Sequence, residues 1–164
     1  MEVLVVLSRW LHVMSAILAI GGAFFLRIAV PPALAEADAG SRDAVLIALR
    51  RRFKRVVHIC LGLLLLTGAF NTWRNWQDYK LNTALMHAFW GTHMLLGLVV
   101  MGISASLLAK PQPPKNHRGI LTVNLVIMFV VVALASTLKY VRDTTVKSRA
   151  PAPAGVTDSA RLGR

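Results

Sequence analysis

The stretch "SRWLHVMSAILAIGGAFFLRIAVPP", residues 8 to 32, decides the fold because it is long and apolar enough to cross a lipid bilayer. A hydrocarbon core about 30 Å thick needs roughly 20 apolar residues in helical form. Around this stretch, four candidate spans run over residues 3–30, 54–73, 85–109 and 120–141. We therefore predict an all-α integral membrane four-helix bundle that forms a single domain of residues 1–146.

The amino-acid composition also indicates a membrane protein. Of its 164 residues, 55% are hydrophobic and 16% are charged, and the mean hydropathy is +0.57. A soluble domain of this size is less apolar. The net charge of +12 would suggest nucleic acid in a soluble protein, but basic loops in a membrane protein set orientation and contact anionic lipids. Membrane lipids, and no nucleic acid, are the expected partners.

The connections between the spans carry weaker signals. "PALAEA" at 32–37 resembles a signal-peptide cleavage site, but the apolar run before it is too long and Glu2 removes the positive start. We expect a retained first helix that ends near Pro31. Residues 41–55 predict a short amphipathic helix on the membrane surface, with Ser41 as N-cap. The tail at 147–164 is small, polar and proline-bearing, which predicts disorder.

Basic residues suggest an orientation. The first connection carries the cluster "RRRFKR" at 50–55, whereas only Arg9 lies near the start of the first helix. Cytoplasmic loops are enriched in Lys and Arg, so this asymmetry predicts a cytoplasmic first connection with both termini on the opposite side. In the third connection, prolines prevent helix continuation, and His117 is interpreted as a solvated loop residue.

The sequence lacks the motifs of soluble enzymes. It contains no P-loop, no Gly-x-Ser-x-Gly and no His-Glu-x-x-His, and the absence of Cys-x-x-Cys-His excludes covalent c-type haem attachment. Cys60 is the single cysteine, and we interpret it as a small buried apolar residue.

The functional candidates are therefore the histidines within the spans, because a bilayer penalises ionisable groups. These are His12, His58, His87 and His93. Helices one and three of an alternating bundle start at the same face, and both His12 and His93 then lie roughly 12 to 14 Å below it. His87 lies nearer that interface, and His58 lies on the opposite side of the membrane.

Small residues flank both deep histidines at helical spacing, which leaves room for close helix packing or for a flat prosthetic group. Haem b would use two axial imidazoles on facing helices, with cations near its propionates. Arg9 lies three residues before His12 and is a natural propionate partner, while Trp90 is placed to flank the porphyrin. Asn124, on the other half of the bundle, is interpreted as an interhelical hydrogen-bonding residue.

The first helix resembles that of the copper-resistance D superfamily of small bacterial membrane proteins, through "WLHVMSAILAIGGAFFLRIAVPPAL". "RRFKRVVHICLGLLLLTGAFN" is similar to the second helix of that group. The resemblance implies a four-helix unit and a multi-pass location in the bacterial inner membrane. It also extends to the HemJ-type protoporphyrinogen oxidases, whose haem-associated positions are a first-helix histidine and a third-helix lysine.

His12 matches the first of those haem-associated positions, whereas His93 stands where that family has its lysine. The resemblance thus implies a haem site more strongly than an oxidase reaction, because histidine is also a strong axial ligand. Our leading hypothesis is a b-type haem protein that transfers electrons or takes part in a membrane oxidation, ligated by His12 and His93, with His58 and His87 as alternates. The sequence does not identify its redox partner, and a second copy of the chain is a further candidate partner.

Two alternatives stay open. The copper branch of the superfamily would use soft thioether and imidazole ligands for Cu(I). The candidate ligands are Met14, Met86, His87, Met94 and Met101. A membrane subunit without a cofactor would need His12 and His93 only for hydrogen bonds between helices.

Overall fold

In the computed structural model, the described residues are 2–36, 38–76, 84–109 and 114–149, and they fold into helices without a strand. The elements are α1 (Glu2–Ile28), α2 (Val30–Ala35), α3 (Ala39–Arg74), α4 (Ala84–Ala109) and α5 (His117–Arg149). Four helical segments are long and apolar enough to span a membrane: Glu2–Ala35, Gly40–Arg74, His87–Ala109 and His117–Thr144. The predicted all-α architecture with four spans is confirmed at this level.

The four long helices form a ring. Helix α1 packs against α3 and α5, and α4 packs against the same two helices. Consequently α1 and α4 lie at opposite corners of the bundle. Their facing sides meet at its centre, which is where the first and third spans were expected to present His12 and His93.

Most large apolar side chains point away from the bundle. Ile17, Leu66 and Phe129 are examples, each more than half exposed in the isolated chain. Small or polar side chains instead lie against neighbouring helices, as Ser15 and Ala19 do on α1. Because lipid solvates apolar groups as well as a protein core does, helix association in a membrane depends on close packing and interhelical hydrogen bonds.

The buried contacts fall into three clusters along the bundle axis. Ala23, Val100, Leu125 and Met128 join α1, α4 and α5. A second cluster, built on Val57, Leu61 and Leu108, joins α3 to α4. A third cluster lies near the N-terminal end of α4, where Phe89 and Trp90 pack against Leu138. Cys60 is buried, as its small apolar character predicts.

Helix α3 differs from the prediction of a separate surface helix. Residues 41–55 continue without a break into the second span, so that α3 has 36 residues. No proline or other helix breaker separates the two segments, and continuation adds a hydrogen bond for each residue. The helix begins at Ala39, and the Ser41 hydroxyl donates to the Asp38 carbonyl instead of acting as the predicted N-cap.

The basic cluster at the start of the second span has a role that the sequence did not reveal. Arg50 donates to the Leu107 carbonyl at 2.6 Å, and Lys54 donates to the Ala109 carbonyl at 3.3 Å. Both carbonyls belong to the last turn of α4, where backbone acceptors lack helical partners and the helix dipole is negative. Cationic side chains of α3 therefore cap the end of α4.

The ends of α1 and α5 also differ from the predicted helix boundaries. Helix α1 ends at Ile28, and the two prolines fall in the short helix α2. His117 begins α5 and is half-buried, so its interpretation as a solvated loop residue was wrong. Helix α5 continues to Arg149, three residues into the predicted tail, while residues 150–164 lie outside the described part of the chain.

Candidate functional site

His12 lies on the face of α1 that packs against α3. Its Nδ1 is 2.8 Å from the Thr67 hydroxyl oxygen, and the imidazole rests over Gly68, where an added Cβ would lie 3.5 Å from Cε1. One helical turn earlier, Ser8 donates to the Asn71 side-chain oxygen at 3.3 Å. The ring is half-buried. A polar seam between α1 and α3 thus fixes the position of this imidazole.

The hydrogen bonds around His12 determine which ring nitrogen carries the proton. The Thr67 hydroxyl donates its single proton to the Leu63 carbonyl, so its oxygen accepts from His12. Nδ1 therefore carries the proton in neutral His12, and the lone pair is on Nε2.

The same nitrogen carries the proton in neutral His93, but its hydrogen-bond partner is a backbone carbonyl. Its Nδ1 is 3.2 Å from the Val131 carbonyl on α5, and a carbonyl oxygen can only accept. Neutral His93 is therefore protonated on Nδ1 as well, with its lone pair on Nε2. Metal-ligating histidines usually show this arrangement, in which the second ring nitrogen donates to the protein and fixes the ring.

The two imidazoles belong to helices at opposite corners of the ring. They are close enough for the charge of one to act on the other. Both are half-buried, and each is anchored by a different neighbouring helix, α3 for His12 and α5 for His93. The arrangement presents two neutral nitrogen donors near the bundle axis. Neutral imidazole nitrogens are donors that a haem iron accepts.

Arg9 and Trp90 each lie one helical turn before a candidate ligand, whereas His58 and His87 are exposed on other parts of the bundle. Arg9 is exposed on α1. Trp90 is half-buried one turn before His93, and its ring contacts Trp76 edge-on at a centroid distance of 6.0 Å. His87 is exposed on α4, and His58 is exposed on α3, where its Nδ1 bonds to the Lys54 carbonyl of the same helix. The structure does not bring these two alternates into the arrangement around His12.

The copper candidates are dispersed among the described residues. Met101 packs against the apolar cluster of Val57 and Leu108, and Met14 is 40% exposed. The side chain of Met86 lies outside the described part of the chain. Within residues 2–36, 38–76, 84–109 and 114–149, no three or more His, Cys, Asp or Glu side chains form a group that would hold a metal ion.

Thr67 and Gly68 are the residues that sequence reasoning missed at this site. A threonine in a membrane helix often bonds to the carbonyl four residues earlier, as Thr67 does, so its presence there gave no signal of a second partner. Only the packing of α1 on α3 shows that its oxygen also accepts from His12. Asn124, by contrast, donates to Ser104 at 2.9 Å between α5 and α4, which confirms its predicted interhelical bond.

Comparison with protein families, curated proteins and solved structures gives no match to this chain.

Proposed function

We propose that this chain is a membrane protein that binds haem b between α1 and α4, with His12 and His93 as the axial ligands, and that it transfers electrons. The observation that supports the proposal is that both imidazoles have the same tautomer. Each neutral ring donates from Nδ1 to a fixed acceptor and leaves its Nε2 lone pair for a metal. Haem b, when bound, supplies one-electron redox chemistry at its iron.

The surrounding residues have defined roles in this proposal. Thr67 and the Val131 carbonyl orient the imidazoles, and Gly68 leaves room beside His12. Arg9 is the cation expected to pair with a propionate near the interface, and Trp90 is expected to flank the macrocycle. We expect the protein to reside in the bacterial inner membrane and to exchange electrons with a redox partner. If the protein is an enzyme, we expect it to be a HemJ-like oxidoreductase.

The visible spectrum of the purified protein tests the proposal directly. We expect an intense Soret band in the oxidised protein and a sharp α band after addition of dithionite. A colourless preparation that contains stoichiometric copper would favour the copper alternative instead. A folded preparation with neither haem nor copper, which also fails to take up added haem, would favour the cofactor-free subunit.

Replacing Thr67 tests the orienting bond without removing a ligand. Thr67→Val keeps the shape of the side chain but removes the acceptor for His12 Nδ1. Loss of such a supporting bond typically lowers metal affinity by about 10- to 100-fold. We expect a haem dissociation constant raised by about that factor, measured by titration of the apoprotein, and recovery in Thr67→Ser.

Thr137→Val is the matched control for this experiment. Thr137 makes the same bond to the carbonyl four residues earlier, but its side chain is exposed on α5. Its replacement should leave haem affinity unchanged. Equal effects of the Thr67 and Thr137 replacements would show that Thr67 acts through helix stability and not through His12.

A further inference from the structure

A second polar site lies at the opposite end of the bundle from the two histidines. A cavity of about 60 Å³ opens there between α1, α3, α4 and α5. Its walls include Ala19 and Phe53, and its polar side chains come from Arg50, Ser104, His117 and Asn124. About 10–15 Å³ on this measure is enough for one water molecule, so the cavity has room for a group of several heavy atoms.

Arg50 contributes a buried cation to this cavity. Only 8% of the residue is exposed, and one terminal guanidinium nitrogen donates to the Leu107 carbonyl. Its Nε is buried without a hydrogen-bond partner in the described part of the chain. Among the described residues that line the cavity, none is an Asp or a Glu. A buried charge without a counterion is costly, so this guanidinium calls for an anion.

Asn124, which also lines the cavity, has a buried oxygen that needs a hydrogen-bond donor. It is 1% exposed, and its amide nitrogen donates to Ser104. Its Oδ1 is buried and accepts no hydrogen bond from any described residue. A buried acceptor left without a donor costs about 1–3 kcal/mol. The complementary ligand must therefore carry an anionic oxygen for Arg50 and a hydrogen-bond donor for Asn124.

We propose that this cavity binds a protonated phosphate group, that of a phosphate monoester or of inorganic phosphate. Such a group has anionic oxygens that accept from Nε of Arg50 and a P–OH that donates to Oδ1 of Asn124. An ionised carboxylate and a phosphodiester both lack the donor. The group comes from one of two sources, either phosphatidic acid in the membrane or inorganic phosphate in solution.

Lipid binding to the detergent-solubilised protein at pH 6 tests the proposal, because a phosphate monoester is about half monoanionic there. Native mass spectrometry would compare phosphatidic acid with phosphatidylglycerol of identical acyl chains. We expect phosphatidic acid to bind about tenfold tighter, as one hydrogen bond to a charged group gives. If inorganic phosphate competes with the lipid and stabilises lipid-free protein, the natural source is the free anion; without such competition it is the lipid.

Variants assign the selectivity to the two residues. Asn124→Leu should bind both lipids with similar affinity, because it removes the acceptor that selects a donor. Arg50→Gln should lose binding of both. The control Arg51→Gln removes an exposed charge at the adjacent position of α3 and should keep the tenfold preference.

Two results would overturn the assignment. One is equal binding of the two lipids by the wild-type protein, or binding of neither lipid together with no stabilisation by inorganic phosphate; this comparison requires no variant to fold. The other is a preference for phosphatidic acid that survives in folded Arg50→Gln, because the anion would then lie elsewhere on the basic surface. Tryptophan-detected thermal unfolding shows whether each variant is folded.

Discussion

Replacement of either His12 or His93 by alanine should abolish the sharp α band of the reduced protein and lower its haem content by at least about tenfold. Each substitution removes one of two nitrogen donors whose lone pairs are held on Nε2 by bonds from Nδ1. The remaining imidazole would hold the iron from one side only. Reduced-minus-oxidised spectra and haem extraction, normalised to protein, measure both effects.

His58→Ala and His87→Ala are the matched controls, because both residues lie on membrane-spanning helices but are exposed. They should leave haem content and the α band unchanged. A fully loaded protein whose spectrum survives both the His12 and the His93 replacement would refute the ligand assignment while retaining the cofactor. His58 and His87 would then become the candidates.

The largest expected effect on stability comes from Gly22. A Cβ at this position would overlap the ring of Phe53, which packs across from α3. Gly22→Ala therefore forces the ring out of the α1–α3 interface, and overpacking of this kind typically costs about 1–3 kcal/mol. We expect a clear fall in the thermal unfolding midpoint, measured in detergent by intrinsic fluorescence.

Gly21→Ala supplies a precise comparison, since no atom lies within 4 Å of a Cβ placed there. Both substitutions gain about 1 kcal/mol of helix propensity, so the difference between them isolates the clash with Phe53. The double variant Gly22→Ala with Phe53→Leu should be less destabilised than the sum of its parts. Equal midpoints for the two glycine variants would show that the ring moves aside without cost.

The sequence predicted the architecture well because hydrophobic length is a strong signal in a bilayer. Four apolar runs became four long helices. It also identified Asn124 as an interhelical donor. These inferences rest on length, spacing and polarity, which a single chain displays directly.

The parts that sequence reasoning missed depend on which faces meet. Arg50 belonged to a basic cluster typical of an interface, and nothing in its neighbours distinguished it from exposed Arg51. Its burial follows from the end of α4 lying against α3. Thr67 was equally inconspicuous until α1 packed on it. The sequence predicted a surface helix separate from the second span, but the two form one continuous helix. The sequence changes from polar to apolar between them without a residue that would end a helix.

The unbroken length of α3 also gives the bundle a mechanical property. Arg50 and Thr67 lie on this one helix, separated by about 25 Å of its axis at about 1.5 Å per residue. A helix of this length curves gently and kinks sharply only at features such as proline, which is absent between these two residues. A tilt imposed at the Arg50 end is therefore delivered to Thr67 at the other end, and with it to the imidazole of His12. Helix α3 thus joins the Arg50 cavity directly to the His12 site.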